Sequence, residues 1–176
     1  RTGMEQAAMR AAVSRALAAV PHAIGLNNHE GSALTTRRAA MDAVMRALAR
    51  RERPLLFIDS RTTADTAAEA AARGAGVPVA RRHVFLDHRR DAAAIEAATR
   101  AWLDRARHQG CALAIAHPHP VTLRVLERIL PRADDVRRVD LRTYIERCGT
   151  PARAEETWRA SSSPSPTAAR NSRPSP

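Results

Sequence analysis

The stretch LLFIDSRTT, residues 55–63, changes character abruptly at its middle. Four apolar residues of the kind that fill buried strands are followed at once by Asp59, Ser60 and Arg61. Alanine-rich helical patterns lie on both sides of the stretch. Because strands that alternate with helices build parallel sheets, the stretch predicts an α/β fold with a polar cluster where the strand ends.

Three other stretches repeat this order of apolar run and polar cluster. NNHEGS follows the apolar AIGL, LDHRRD follows a short third strand, and HPHP follows ALAIA. The carboxyl ends of neighbouring parallel strands meet at one edge of a sheet, and the loops there carry the functional site in folds of this class. We therefore expect the four clusters to converge on a single rim.

The whole chain alternates strand and helix about five times, which favours right-handed crossovers between parallel strands. The predicted strands are HAIGL, LLFI, VPVARR, CALAIA and a less regular VRRVDL. The predicted helices cover residues 5–20, 37–51, 64–74, 92–109 and 121–130. Thr35 or Thr36 is expected to cap the second helix, and Gly74 to end the third in a left-handed conformation.

Residues 1–150 are predicted to form one folded domain, and residues 151–176 a disordered tail rich in serine and proline. The chain contains no apolar run long enough to span a membrane and no recognisable signal peptide. The spacing of Cys111 and Cys148 matches neither a disulfide framework nor a metal cluster. We expect Cys111 to be a small buried apolar residue. The sequence does not indicate an oligomeric state.

The strongly basic balance is a poor indicator of nucleic-acid binding in this chain. The net charge is +11, and all 29 basic residues are arginine. The arginines are scattered along predicted helices, beside aspartate and glutamate, in the manner of solvated surfaces. Aromatic residues, which stack on bases, make up 3% of the chain. We therefore expect no nucleic-acid partner.

The four clusters contain the side chains that bind divalent metals. His29, His117 and His119 supply imidazoles, and Asp59 and Asp87 supply carboxylates, as zinc sites do. A metal held there would lower the pKa of bound water and polarise a carbonyl, and a histidine held by a carboxylate could act as a general acid. A histidine at a strand end is also commonly a hydrogen-bonded structural residue, so both interpretations stay open here.

Four ordered motifs carry a family resemblance: GLNNHEGS, LLFIDSRTTADT, GVPVARRHVFLDHRRD and ALAIAHPHPVTLRVLE. In this order and spacing, from about Ala19 to Leu130, the chain resembles the divergent polysaccharide deacetylase family, related to NodB-type carbohydrate esterases. The resemblance implies an incomplete (β/α) barrel of the glycoside hydrolase/deacetylase type in a bacterial, periplasmic or secreted protein. It also implies a carbohydrate substrate and a divalent metal, with zinc favoured.

The resemblance also implies roles for particular residues. It makes His29 a metal ligand, His117 a general acid and Asp59 a second catalytic residue. It makes six further residues candidates for substrate binding: Asn28, Ser32, Ser60, Arg61, Asp87 and His119.

This chain departs from the superfamily pattern in two ways. The paired aspartates of the superfamily belong to a strand upstream of these motifs, and Gly25 and Ala33 stand where a second metal-binding histidine is usual. We therefore expect the chain alone to be inactive. Its function is predicted as deacetylation of a cell-envelope sugar by hydrolysis of a non-peptide carbon–nitrogen bond. The alternative is a carbohydrate-binding or envelope-associated remnant of the same fold without catalysis.

Overall fold

The computed structural model describes residues 6–50 and 55–149, and strands alternate with helices along them. The elements in chain order are α1 (Gln6–Ala19), β1 (Gly25–Asn27), α2 (Ser32–Thr35), α3 (Arg38–Ala49), β2 (Leu56–Asp59), α4 (Ala68–Ala75), β3 (Val79–Arg81), β4 (Val84–Phe85), α5 (Ala92–Gln109), β5 (Ala114–Ile115), α6 (Pro120–Ile129), a 3₁₀ turn (Leu130–Arg132) and α7 (Leu141–Cys148).

All the strand pairs in this part of the chain are parallel, as predicted. One sheet has the order β1-β2-β3, and a second ladder pairs β4 with β5. Asn27 lies opposite Ile58, and Asp59 lies opposite Arg81, so the first three strands end at the same edge. The class is therefore mixed α/β with parallel strands, and the incomplete barrel stays a prediction.

Strand β2 is buried on both faces because it lies between two layers. Phe57 packs into a large cluster with the buried faces of α1, α3 and α4. Leu56 and Ile58 point the other way and pack against Tyr144 and Ile145 of α7. A third cluster joins α5 to α6. The apolar run of the sequence thus reflects a strand with no solvent-exposed face.

Two predicted helix ends are wrong. The left-handed cap of α4 is Gly76, with φ 67°, whereas Gly74 lies inside the helix, which extends to Ala75. Neither Thr35 nor Thr36 caps α3, because Thr35 belongs to the short helix α2 and Thr36 follows it as its C-cap. The cap residue of α3 is Arg37, which makes no side-chain hydrogen bond there.

Two predicted strands also need correction. VRRVDL forms no strand, because the Asp140 carboxylate accepts hydrogen bonds from the backbone N–H groups of Arg142 and Thr143 and begins α7 instead. CALAIA, expected to be buried, has a ladder of two residues, Ala114 and Ile115, which are half-buried. Within the described residues its ladder partner is β4, so one of its edges is unpaired there.

Cys111 and Cys148 form a disulfide, so the expectation of an unpaired Cys111 is wrong. Helix α7 brings its last residue to the start of the β5 segment, which places the two Cα atoms 6.0 Å apart. The cysteines are 37 positions apart in sequence, so no local pattern indicates this contact. The bond holds α7 against the face of the sheet that carries Leu56 and Ile58.

The predicted tail, residues 151–176, lies outside the described residues, and the domain boundary at 150 stays a prediction. Among the helices of residues 6–50 and 55–149, none combines the length and the apolar character needed to cross a membrane.

Candidate functional site

The ends of β1 and β2 are joined through asparagine side chains. Asn27 Nδ2 donates hydrogen bonds to the Ile58 carbonyl (2.8 Å) and to Ser60 Oγ (2.7 Å). Asn28 Oδ1 accepts a hydrogen bond from the Ser60 backbone N–H (2.8 Å). The structure therefore brings together the polar clusters that follow these two strands.

The turn after β2 has an unusual backbone conformation. Arg61 has φ 46°, in the left-handed region that non-glycine residues adopt at a cost. The Asp59 carboxylate stabilises this turn, since Oδ1 accepts a hydrogen bond from the Arg61 N–H (2.8 Å). Asp59 is 1% exposed, and its Oδ2 is buried without a partner among the described residues. The sequence had marked Asp59 for catalysis, and its visible contact is structural.

Arg82 holds the same turn through two hydrogen bonds, and the sequence did not identify this residue. Its Nε donates to the Ser60 carbonyl (2.5 Å), and Nη2 donates to the Arg61 carbonyl (2.8 Å). The guanidinium lies 5.5 Å from the centre of the Phe85 ring. Burial, and then the charge of Arg61, lower the pKa of Arg82, against the opposing effect of Asp59. In a chain so rich in arginine, nothing in the sequence distinguished this one.

Asp87 and His117 form the best-defined contact of the rim. Asp87 Oδ2 accepts hydrogen bonds from the His117 backbone N–H (2.7 Å) and from Thr122 Oγ1 (3.1 Å). Asp87 Oδ1 lies 3.2 Å from His117 Nδ1, which donates when it carries the proton. The Asp87 side chain is fully enclosed, whereas that of His117 is 39% exposed. The buried Asp87 carboxylate therefore holds an imidazole that solvent can reach.

Burial of Asp87 by itself raises the pKa of its carboxyl group. The hydrogen bonds from the His117 backbone, the His117 ring and Thr122 outweigh that effect, and the pKa lies below its ordinary value. Asp87 is therefore ionised at neutral pH. Thr122, which is fully buried in α6, was also missed, since a lone threonine in a helical pattern gives no signal of such a contact.

The predicted histidines gather around His117. Its ring centre lies 6.0 Å from that of His29 and 5.3 Å from that of His119, and Phe85 packs against it at 5.5 Å. Potential ligand atoms of Asp87, His117 and His119 lie within 4.8 Å of one another, a separation that a single metal ion can bridge. Side chains from the ends of β1, β4 and β5 thus meet at one place.

The donors suit a divalent cation of the zinc type, which prefers imidazole nitrogen and carboxylate oxygen. His119 Nε2 is buried and has no hydrogen-bond partner among the described residues, as a nitrogen reserved for a ligand would be. Ser32, by contrast, is exposed at the start of α2 and makes no side-chain hydrogen bond to the other candidate residues in this part of the chain.

A protein-family model matches most of the chain. The model of the divergent polysaccharide deacetylase family matches residues 1–144. The match includes the four polar clusters and the residues that form the rim. It agrees with the resemblance seen in the ordered motifs.

Curated relatives are similar in sequence and longer. Protein YibQ of Escherichia coli (strain K12) is 45% identical over 111 residues, which cover 63% of this chain and 34% of YibQ. A protein of Haemophilus influenzae (strain ATCC 51907 / DSM 11121 / KW20 / Rd) is 40% identical over 125 residues, or 71% of this chain and 44% of the relative. The chain thus spans between a third and a half of the length of these relatives.

A solved structure supports the fold. The crystal structure of protein ATU2773 from Agrobacterium tumefaciens C58 is similar with a TM-score of 0.60 and 23% sequence identity. The similarity covers 64% of this chain and 45% of the other. At this identity the comparison bears on the arrangement of strands and helices alone.

Proposed function

The chain belongs to the divergent polysaccharide deacetylase family, and from that premise we propose that it forms part of the active site of a metal-assisted hydrolase that removes acetyl groups from a cell-envelope sugar. The observation that carries this proposal is the Asp87–His117 pair, a buried carboxylate that holds an exposed imidazole beside two further histidines.

His117 is the general acid in this proposal. The contact between Asp87 and Nδ1 fixes the ring and leaves Nε2 of this partly exposed imidazole free to deliver a proton to the departing sugar nitrogen or oxygen. The ionised Asp87 also stabilises the protonated imidazole, as the carboxylate of a catalytic pair does. Asp87 is accordingly a positioning residue, with Thr122 fixing its other oxygen.

His29 and His119 would hold the divalent metal, for which zinc is the first choice; of these two, His119 belongs to the compact ligand set with Asp87 and His117, and His29 lies outside it. The rings of His29 and His119 each contact the ring of His117. The Nε2 atom of His119 is buried and has no hydrogen-bond partner among the described residues. A divalent ion bound there would supply an acidic water and would polarise the acetyl carbonyl. The compact set of Asp87, His117 and His119 offers a second assignment, in which His117 is a ligand and not the acid.

The turn formed by Asp59, Ser60 and Arg61 binds the sugar together with Asn28. This turn is fixed by Arg82 and by Asn27, so its polar groups are held in place before a ligand arrives. Asp59 supports the turn from a buried position, so its role in this proposal is to position Ser60 and Arg61.

The protein acts in the periplasm or outside the cell. The Cys111–Cys148 disulfide supports this proposal, since such bonds persist in oxidising compartments and are rare in the bacterial cytosol.

The test measures acetate release from N-acetylated chitotetraose and from O-acetylated xylan by the complete gene product that contains these residues. We expect release that zinc supports and that EDTA abolishes, with loss in His117→Gln. Binding of either saccharide without acetate release would favour the non-catalytic carbohydrate-binding alternative. Failure of both binding and release, in a protein that loads zinc, would contradict both functions for these sugars.

A further inference from the structure

A large cavity lies at the end of the molecule opposite the histidine rim. Its volume is about 710 Å³, and it opens between the end of α5, the segment before β5, the 3₁₀ turn and α7. Residues 110–113 precede β5, so the cavity lies at the amino end of that strand, whereas the candidate site lies beyond the carboxyl end. Its size is typical of small-molecule sites.

The cavity wall is mostly apolar. Trp102 and Leu103 of α5, Leu113 before β5, Leu130 of the 3₁₀ turn and Val136 all line it. The disulfide between Cys111 and Cys148 forms part of the same wall and fixes α7 in place. Such a wall suits the hydrocarbon part of a ligand, because apolar surface gains free energy when it leaves water.

Arginines outnumber acidic residues in the wall of this cavity. Arg107 is neutralised by Asp104 and Asp135, with contacts of 2.7 and 2.6 Å, and Arg138 donates to the Leu130 carbonyl at 2.6 Å. Arg137 and Arg147 also line the cavity, and neither makes an ion pair or a side-chain hydrogen bond within the described residues. Two guanidinium groups are therefore available for an anion.

A buried hydroxyl points to the same conclusion. Tyr144 lines the cavity and is 7% exposed, and its hydroxyl group has no hydrogen-bond partner among the described residues. A buried donor without an acceptor is costly and uncommon in a folded protein. A ligand whose acceptor oxygen reaches this hydroxyl from the cavity would satisfy it.

We propose that this cavity binds a small amphipathic carboxylate, a molecule with one anionic head and a hydrocarbon chain. Arg137 and Arg147 recognise the carboxylate, and the apolar wall around Leu113 and Leu130 encloses the chain. The site is separate from the histidine rim and does not depend on the function proposed for it.

The test uses dodecanoate, held below its micelle concentration, and the fluorescence of Trp102. A Trp158→Phe substitution in the full chain leaves Trp102 as the one tryptophan, because the sequence contains two. We expect saturable binding of dodecanoate with one molecule per chain. Dodecan-1-ol, which has the same hydrocarbon chain and no charge, should bind at least tenfold more weakly.

The double variant Arg137→Gln/Arg147→Gln should also bind dodecanoate at least tenfold more weakly. Its matched control is Arg124→Gln/Arg132→Gln, which removes the same charge from exposed positions outside the cavity and should leave the affinity unchanged. Absence of saturable binding, equal binding of dodecanol, or equal weakening in both double variants would overturn the proposal. A Trp102 signal that changes with protein concentration alone would assign the cavity to a second copy of the chain and would overturn it as well.

Discussion

Asp87 holds His117 with both of its carboxylate oxygens. One oxygen accepts from the His117 backbone N–H at 2.7 Å, and the other lies 3.2 Å from the ring nitrogen Nδ1. A single buried side chain therefore fixes both the backbone and the ring of the histidine that follows β5. Because Asp87 follows β4, the contact also joins the ends of the two paired strands.

Replacing Asp87 with asparagine should destabilise the fold and weaken this contact. Asparagine is nearly isosteric, but it is uncharged and has one acceptor oxygen, so it cannot accept from the His117 backbone, Thr122 and the His117 ring with two oxygens as Asp87 does. We expect a loss of roughly 1.5–3 kcal/mol, the usual range for a hydrogen bond to a charged group. Urea unfolding at pH 7 measures this loss as a decrease in the free energy of unfolding.

Asp65→Asn is the matched control, because Asp65 is exposed and its carboxylate makes no hydrogen bond among the described residues. Equal midpoints for Asp87→Asn, Asp65→Asn and the unmodified chain would contradict the role given to Asp87.

His117→Gln should separate the two roles that the site allows for this histidine. If His117 is the general acid, the complete gene product should bind zinc as before and release acetate about 10²–10⁴-fold more slowly. His29→Gln and His119→Gln should instead lower the zinc content, measured by elemental analysis after dialysis. His22→Gln is the control, since His22 is exposed and precedes β1, outside the four motifs. Loss of zinc in His117→Gln would make it a ligand and not the acid.

The sequence predicted the parallel α/β class and much of the rim because both follow from local patterns. The run Leu56–Asp59 shows a buried strand and its end directly. Helix α5 was correct at both ends, because its first turn is capped by Asp91 and Gly110 follows its last residue in a left-handed conformation.

Contacts between distant residues were the part that the sequence did not predict. The Cys111–Cys148 bond depends on where α7 packs, and α7 was not predicted, since the segment before it, VRRVDL, was read as a last strand. Arg82 and Thr122 gain their roles from neighbours 21 and 35 residues away, in a chain where arginine is common. Only the packed fold distinguishes such residues from others of their type.

Glu96 should stabilise the contact between α5 and α6 at neutral pH and lose this effect in acid. Hydrogen bonds from Arg128 and then Arg100 lower the pKa of Glu96 from 4.5 to about 2. A carboxyl group with a lowered pKa in the folded state stabilises fully above its unfolded pKa, and the effect disappears as the pH falls through about 2.

The urea midpoint of Glu96→Gln should therefore lie below that of the unmodified chain at pH 7, and the gap should close toward pH 2. The gap should also shrink in 1 M salt, because the two arginines that pair with Glu96 are exposed to solvent. Glu127→Gln, on the exposed face of α6, should show no such gap. A gap of the same size at pH 2 and pH 7 would show that charge is not its cause.

The Cys111–Cys148 bond should contribute strongly to stability. The two cysteines are 37 residues apart. In the chain-entropy model, closing a loop of that length raises the free energy of the unfolded chain by roughly 3–4 kcal/mol and so stabilises the fold. The Cys111→Ser/Cys148→Ser variant should unfold at a correspondingly lower urea concentration, and dithiothreitol should lower the midpoint of the unmodified chain but not of the variant. Iodoacetamide should label the denatured chain after reduction and not before. Labelling without reduction, or a midpoint that dithiothreitol leaves unchanged, would show that the bond does not form or does not stabilise the fold.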